Sequence, residues 1–166
     1  MPSSDQGVNS DRYSVIPRTL IFITRDDKVL LLKGAGKKRL WAGLYNGVGG
    51  HIEMGEDPLS AAHRELFEET GLTNINLSLC GIVLVNTNTN PGVCIFIFTG
   101  EAKNEELSDS NEGMLEWIGK SSFSGIPLVA DLPILLPKIL SHKPGSDPFI
   151  AHSWYDENDK LRLTFN

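Results

Sequence analysis

Residues 57–71 constrain this chain more than any other segment, because they combine clear helix boundaries with a crowd of glutamates. Asp57 can cap the first turn, Pro58 suits the first helical position, and Gly71 suits the position after the last turn. The 3.6-residue period of a helix places three apolar side chains on one stripe, those of Leu59, Ala62 and Leu66. The sequence therefore predicts one amphipathic helix that packs this stripe on a core.

Three glutamates of that helix, Glu65, Glu68 and Glu69, fall within roughly 100 degrees of one another around its axis. They lie in its C-terminal half, where the helix dipole disfavours negative charge, and no lysine stands one turn further on. A solvated acidic face would carry interleaved lysines, so it explains the pattern less well than a bound divalent cation. Carboxylate oxygens in this number suit Mg²⁺, and Mn²⁺ could replace it.

The remaining elements alternate without a repeat. The patterns predict three hairpins, a single strand at residues 115–118 and a second helix at 131–141; the hairpin strands are residues 18–23 with 29–32, 77–85 with 93–98, and 150–154 with 161–165. The 166 residues fit one domain. We expect a flexible tail over residues 1–12 and a single α+β domain over residues 13–166.

Charge and cysteine content indicate the setting. With 21 acidic and 15 basic residues, the net charge is −6, which argues against nucleic acid polymers or anionic membranes as partners. Both cysteines, Cys80 and Cys94, lie in apolar runs. This placement is more typical of free thiols in a reducing compartment than of a disulfide framework. No apolar run approaches the ~20 residues that span a bilayer. We expect a cytoplasmic protein, with monomer and homodimer both open.

The acidic helix belongs to a longer pattern. Gly50 is followed after five residues by Glu56, and after seven more by the run Arg64-Glu65-Leu66-Phe67-Glu68-Glu69-Thr70-Gly71-Leu72. This spacing resembles the Nudix hydrolase family at every fixed position of its 23-residue box. The resemblance implies a mixed β-sheet sandwiched between α-helices. It also implies cation-dependent cleavage of a pyrophosphate linkage in a nucleoside diphosphate that is attached to another group.

The same resemblance implies roles within the box. The metal-binding carboxylates would be Glu65, Glu68 and Glu69, with a backbone carbonyl of Gly49 or Gly50 as a further ligand. Glu56 would be a supporting acid, and Arg64 would hold a box glutamate by an ion pair. Glu65 or an acid outside the box could accept the proton of the attacking water.

Further segments resemble the MutT-like branch that includes the oxidised-purine nucleoside triphosphatases. In residues 45–50, Asn46 matches a residue that hydrogen-bonds the base, although a turn-forming asparagine would look the same. In residues 110–117, Glu112 matches an extra metal ligand or base, against the alternative of a loop acid. Asp131 matches a substrate-pocket acid or caps the second helix.

Three further residues are weaker substrate-binding candidates. Tyr45 could stack on a base, Lys38 lies in a basic loop that could meet phosphates, and His51 stands where lysine is common in the branch. Two positions depart from the branch: Leu128 replaces a tryptophan that stacks on the base, and Ala130 replaces the first of two adjacent aspartates.

The sequence leaves three functions open. The first is Mg²⁺-dependent hydrolysis of a nucleoside triphosphate, with an oxidised or noncanonical purine such as 8-oxo-dGTP, to a nucleoside monophosphate and pyrophosphate. The second is hydrolysis of ADP-ribose, a dinucleoside polyphosphate or another nucleoside diphosphate derivative. The third is a nucleotide-binding Nudix module without turnover.

Overall fold

A computed structural model describes residues 2–9, 11–35, 41–103, 106–108, 110 and 113–166. Its strands are β1 (Val15–Arg25), β2 (Lys28–Gly34), β3 (Tyr45–Asn46), β4 (Ser78–Asn86), β5 (Gly92–Glu101), β6 (Gly113–Gly119), β7 (Phe149–Tyr155) and β8 (Leu161–Phe165). Its α-helices are α1 (Pro58–Thr70) and α2 (Leu132–Ser141), and two 3-10 helices span Ser3–Gln6 and Lys120–Gly125.

The described strands form one mixed sheet in the order β3-β2-β1-β5-β4-β7-β8, with β6 paired to β2. The three predicted hairpins are present as the antiparallel pairs β1–β2, β4–β5 and β7–β8. Two parallel pairings, β1–β5 and β4–β7, join these hairpins into a single sheet. The α+β class predicted from the element order is therefore confirmed.

Each face of the sheet has its own apolar cluster, because side chains alternate along a strand. On β1, Leu20 and Phe22 join the cluster that α2 covers through Leu132 and Leu135. Ile21 and Ile23 point the other way, into the cluster that contains Ala62 and Leu66 of α1. The sheet is thus sandwiched between the two helices, as the resemblance implied.

Helix α1 begins and ends where its sequence predicts. The Asp57 carboxylate accepts hydrogen bonds from the backbone N–H groups of Leu59 and Ser60, at 2.9 and 3.0 Å. Gly71 ends the helix with φ at 74° and donates its N–H to the Phe67 carbonyl. A left-handed backbone of this kind strongly favours glycine.

The apolar stripe of α1 is rotated from its predicted position. Leu59 is 42% exposed, whereas Ala61, Ala62 and Leu66 are buried together with Glu69. The prediction that Leu59 faces the core was wrong because the buried face is centred closer to Glu69. A carboxylate therefore lies within the packed side of this helix and not opposite it.

The structure adds details that the patterns did not reveal. Strand β3 has only two residues and lacks a periodic signal. The segment expected to be a tail contains the 3-10 helix Ser3–Gln6, and its flexibility stays a prediction. Both cysteines are free thiols, as predicted. No helix in the described ranges is long and apolar enough to cross a membrane.

Neighbouring residues of α2 allow a test of how this helix closes one face of the sheet. Leu135 is fully buried, whereas Ile134 is 42% exposed. We expect Leu135→Ala to lower the free energy of unfolding by about 2–5 kcal/mol, because it leaves a cavity against the sheet. Ile134→Ala should change it by about 0.5 kcal/mol or less. Urea unfolding measures both, and equal losses would contradict this packing.

Candidate active site

Residues 48–51 bring the glycines of the box against both β1 and α1. Thr19 donates its backbone N–H to the Gly50 carbonyl at 2.8 Å, and Ile21 donates to the Val48 carbonyl at 2.7 Å. On the other side, a Cβ atom at Gly50 would lie 2.5 Å from Oε1 of Glu65. Only glycine therefore lets this backbone approach the Glu65 carboxylate so closely.

Glu69 lies against the same backbone from the next turn of α1. Its carboxylate oxygen Oε2 accepts a hydrogen bond from the Gly49 N–H at 3.0 Å. The residue is only 5% exposed, and a buried carboxylate is tolerated only when it has such partners. Glu65 and Glu69 thus converge on the Gly49–Gly50 segment.

Arg64 connects the remaining glutamates of the box. Its Nε atom lies 2.7 Å from Oε1 of Glu56, and its Nη1 atom lies 2.8 Å from Oε1 of Glu65 and 3.1 Å from Oε2 of Glu68. Its Nη2 atom donates to the His51 carbonyl at 3.0 Å. One guanidinium therefore joins the helix to the glycine-containing segment.

These hydrogen bonds alter the ionisation of both partners. The pKa of Glu56 is lowered to about 2, chiefly by the hydrogen bonds from Arg64 and then by the backbone N–H of Glu53. The pKa of Arg64 is raised, first by its hydrogen bonds to Glu56 and then by those to Glu65. Both side chains are charged at neutral pH, so the pair is a fixed ionic contact.

From the sequence we predicted that a metal ion relieves the repulsion between the carboxylates. In the structure, the Arg64 guanidinium also relieves this repulsion. The family resemblance had paired this arginine with one glutamate, and it contacts three. Among the described residues, no three His, Cys, Asp or Glu side chains already form a metal-binding group. The Gly50 carbonyl accepts one hydrogen bond from β1, and a carbonyl oxygen has a second lone pair.

The substrate-binding candidates fall on neighbouring segments. The backbone of Tyr45 makes two hydrogen bonds to the residues that flank Leu128. The Tyr45 N–H donates to the Pro127 carbonyl at 2.8 Å, and the Tyr45 carbonyl accepts from the Val129 N–H at 3.0 Å. This pairing places the segment that leads to Asp131 beside β3, which contains Asn46. Asn46 and Asp131, which are far apart in sequence, thus lie on neighbouring backbone segments.

The side chains of these candidates differ in their availability. The Tyr45 ring is buried, and its hydroxyl donates to Oε1 of Glu116 at 2.8 Å, so it packs in the core and does not offer a stacking face. The Oδ1 atom of Asn46 accepts from the Gly47 N–H at 2.8 Å, which supports the turn-forming interpretation and leaves the amide NH₂ as a donor. His51 is exposed.

Asp131 is half-buried immediately before α2, and its side chain makes no capping hydrogen bond to that helix. Burial raises its pKa. The missing capping hydrogen bond, and not the raised pKa, argues against the capping alternative. Lys38 and Glu112, the remaining candidates, lie outside the described residues, and their assigned roles stay predictions.

A model of the NUDIX domain matches residues 16–128, a range that contains every glycine and glutamate of the site above. The chain belongs to the Nudix family. Its members generally use divalent metal cations, and the chain is a Nudix hydrolase.

Relatives place this Nudix hydrolase near one branch. It is 30% identical over 150 residues to the oxidized purine nucleoside triphosphate hydrolase of Danio rerio, and the match covers 85% of this chain and 95% of that protein. The mutator MutT protein of Bacillus halodurans superposes with a TM-score of 0.75 at 26% identity, over 92% of this chain and 98% of that one.

A third similarity shows the fold alone. The NUDIX domain of Shewanella oneidensis NrtR, solved with ADP ribose, gives a TM-score of 0.69 at 16% identity, over 84% of this chain and 97% of that one. The Danio rerio and Bacillus halodurans similarities confirm the MutT-like resemblance deduced from the box and its flanking segments.

The ion pair of Glu56 makes stability depend on pH. Because its folded pKa of about 2 lies below the ordinary 4.5, the ionised group stabilises the fold above pH 4.5, and this contribution disappears as the pH falls towards 2. We expect the stability difference between native protein and Glu56→Gln to be constant from neutral pH to about pH 5. It should shrink below that pH.

Urea unfolding at a series of pH values measures this difference. Glu53→Gln is a matched control, because it removes an exposed charge from the same loop and leaves the contact between Glu56 and Arg64 intact. Its effect should not follow the same curve. A Glu56→Gln difference that is undiminished in acid would contradict the ionic contact.

Proposed function

We propose that this Nudix hydrolase cleaves nucleoside triphosphates to the monophosphate and pyrophosphate, and that its preferred substrates carry an oxidised or noncanonical purine. The convergence of Glu65 and Glu69 on the Gly49–Gly50 backbone supports the pyrophosphate chemistry. The Danio rerio relative, named for oxidized purine nucleoside triphosphates, supports the substrate class.

The donor set fits a magnesium ion, which Mn²⁺ could replace. Glu65 and Glu69 offer carboxylate oxygens, and the Gly50 carbonyl offers a further hard ligand. Glu68 accepts a hydrogen bond from the same Arg64 guanidinium that contacts Glu65. We assign Glu65, Glu68, Glu69 and Gly50 as the residues that would hold the ion, with Glu112 as a further ligand. When bound, such an ion neutralises phosphate oxygens and lowers the pKa of a water molecule.

The chain's own residues supply the remaining requirements. Hydrolysis forms a bond from a water oxygen to phosphorus and breaks the bridging P–O bond, so a base must accept a proton and the leaving pyrophosphate must be stabilised. Glu65 or Glu112 would accept that proton. Arg64 fixes the Glu65 carboxylate through a 2.8 Å hydrogen bond, and preorganised placement of this kind lowers the barrier.

Glu69 gives the sharpest test of the proposed chemistry. Glu69→Gln keeps an oxygen that can accept the Gly49 N–H but removes the charge. Loss of an outer-shell partner already costs about 10–100-fold, so we expect kcat/KM to fall at least about a hundredfold. Turnover of a panel of nucleoside triphosphates with Mg²⁺ or Mn²⁺ measures this.

Glu157→Gln is the control for the loss of a negative charge, because Glu157 is exposed in the turn between β7 and β8. It should keep the native rate. Equal rates in Glu69→Gln and native protein across the panel would overturn the proposal.

A nucleoside diphosphate derivative such as ADP-ribose is the second candidate, and Leu128 favours it. This residue is half-buried and packs against the α2 cluster, so the stacking face that a tryptophan offers to an oxidised purine is absent at this position. The products distinguish the candidates, since a triphosphate releases pyrophosphate and ADP-ribose releases a ribose phosphate. Heavy-oxygen water would label the attacked phosphorus in each case.

Asp131 tests whether the base is recognised beside Asn46. We expect Asp131→Asn to change the ratio of kcat/KM between an 8-oxo-purine triphosphate and its unmodified counterpart by about tenfold, because a bidentate contact to a base edge discriminates by about 1–3 kcal/mol. Asp147→Asn alters an exposed acid after α2 and should leave the ratio unchanged. An equal loss for both nucleotides would show that Asp131 does not read the base.

A further inference from the structure

Arg18 on β1 holds a hydrogen-bond donor that the fold does not use. Its side chain is half-buried, and its Nε atom is enclosed with no hydrogen-bond partner among the described residues. An enclosed donor without a partner costs stability. A side chain with such an unsatisfied donor is a candidate for binding a group outside the chain.

The backbone places a second basic side chain beside it. Arg18 and His51 are opposite each other in an antiparallel bridge. The hydrogen bonds from Thr19 to Gly50 and from Ile52 to Pro17, at 2.8 and 3.1 Å, flank this pair, so it is the type of pair without mutual hydrogen bonds. In such pairs the two side chains project from the same face and lie close together.

The alternation along β1 fixes which face this is. Leu20 and Phe22 project toward α2, whereas Ile21 and Ile23 project toward α1. Arg18 therefore projects from the α2 side of the sheet, together with His51. On the chain, His51 follows directly after Gly50, whose backbone contacts the Glu65 carboxylate. The basic pair and the carboxylates thus lie on opposite sides of one short backbone segment.

We infer that Arg18, with His51 beside it, binds a phosphate group of the nucleotide substrate on the side of residues 49–50 that faces away from the carboxylates. This inference rests on the proposed function. A chain with a net charge of −6 repels a polyphosphate overall, so local cations are needed to hold it. Guanidinium matches phosphate oxygens through paired N–H groups. Arg18 would supply the permanent positive charge of this pair, because a guanidinium stays protonated in proteins.

Inorganic triphosphate tests the inference, because it contains no base and its binding requires no turnover. We expect calorimetry at fixed Mg²⁺ to show about a tenfold or greater loss of affinity in Arg18→Met, and a smaller loss in Arg18→Lys. Arg25→Met is the matched control: Arg25 lies at the other end of β1, where its guanidinium covers the Trp117 ring. It should bind triphosphate as the native protein does.

Thermal unfolding separates binding from a structural role. Arg18→Met removes an unpaired enclosed donor, so its Tm should equal or exceed the native value. Unchanged triphosphate affinity in Arg18→Met overturns the inference, and so does a loss of affinity that comes with a lowered Tm. Weaker triphosphate binding in a chain that hydrolyses no nucleotide would keep the role of Arg18 and remove the proposed function, so the two failures are distinguishable.

Discussion

The contact of Arg64 with three glutamates is the interaction on which the rest of this site depends. Glu56, Glu65 and Glu68 would repel one another on a short helix and its preceding loop, and one guanidinium lies within hydrogen-bond distance of all three. The same side chain reaches the His51 carbonyl. Arginine suits this position better than lysine because its fixed fork of donors can satisfy several acceptors at once.

The sheet supplies the other half of the arrangement. Strand β1 holds residues 48–51 by backbone hydrogen bonds on one edge and pairs with β5 on the other. The glycine-containing segment is therefore fixed from the side opposite to α1, and glycine at position 50 leaves room for the Glu65 carboxylate. Catalytic geometry is more precise when it is built on rigid elements than on free loops.

Much of this could be predicted from local sequence. Asp57, Pro58 and Gly71 define the helix by mechanisms that act within a few residues, and the hairpins follow from alternation and turn residues. The spacing of the box glutamates was sufficient to identify the family. The burial of the α1 side chains could not be predicted, because it depends on contacts far away in sequence. Leu59 is exposed because the sheet determines which side of α1 is buried, and the inward position of Glu69 depends on an N–H group 20 residues away.

The candidate site residues also divide into those with a local sequence signal and those placed by long-range contacts. The pairing of Tyr45 with residues 127–129 brings the Asn46 and Asp131 segments together, and no local pattern encodes a contact across some 80 residues. The unpaired donor of Arg18 was also missed, since an arginine at the start of a strand ordinarily reads as a solvated edge residue. Only the register between β1 and residues 48–51 reveals its position beside His51.

The long parallel pairing of β1 with β5 has a consequence for how the molecule is assembled. Its partners, from Val15 with Gly92 to Thr24 with Glu101, lie far apart in the chain, and joining them closes a large loop at an entropic cost. Contacts of such separation slow folding, whereas α1 can form from neighbouring residues. Because β1 also holds residues 48–51 against the glutamates of α1, the active-site geometry depends on a strand whose pairing with β5 is limited by topology during folding.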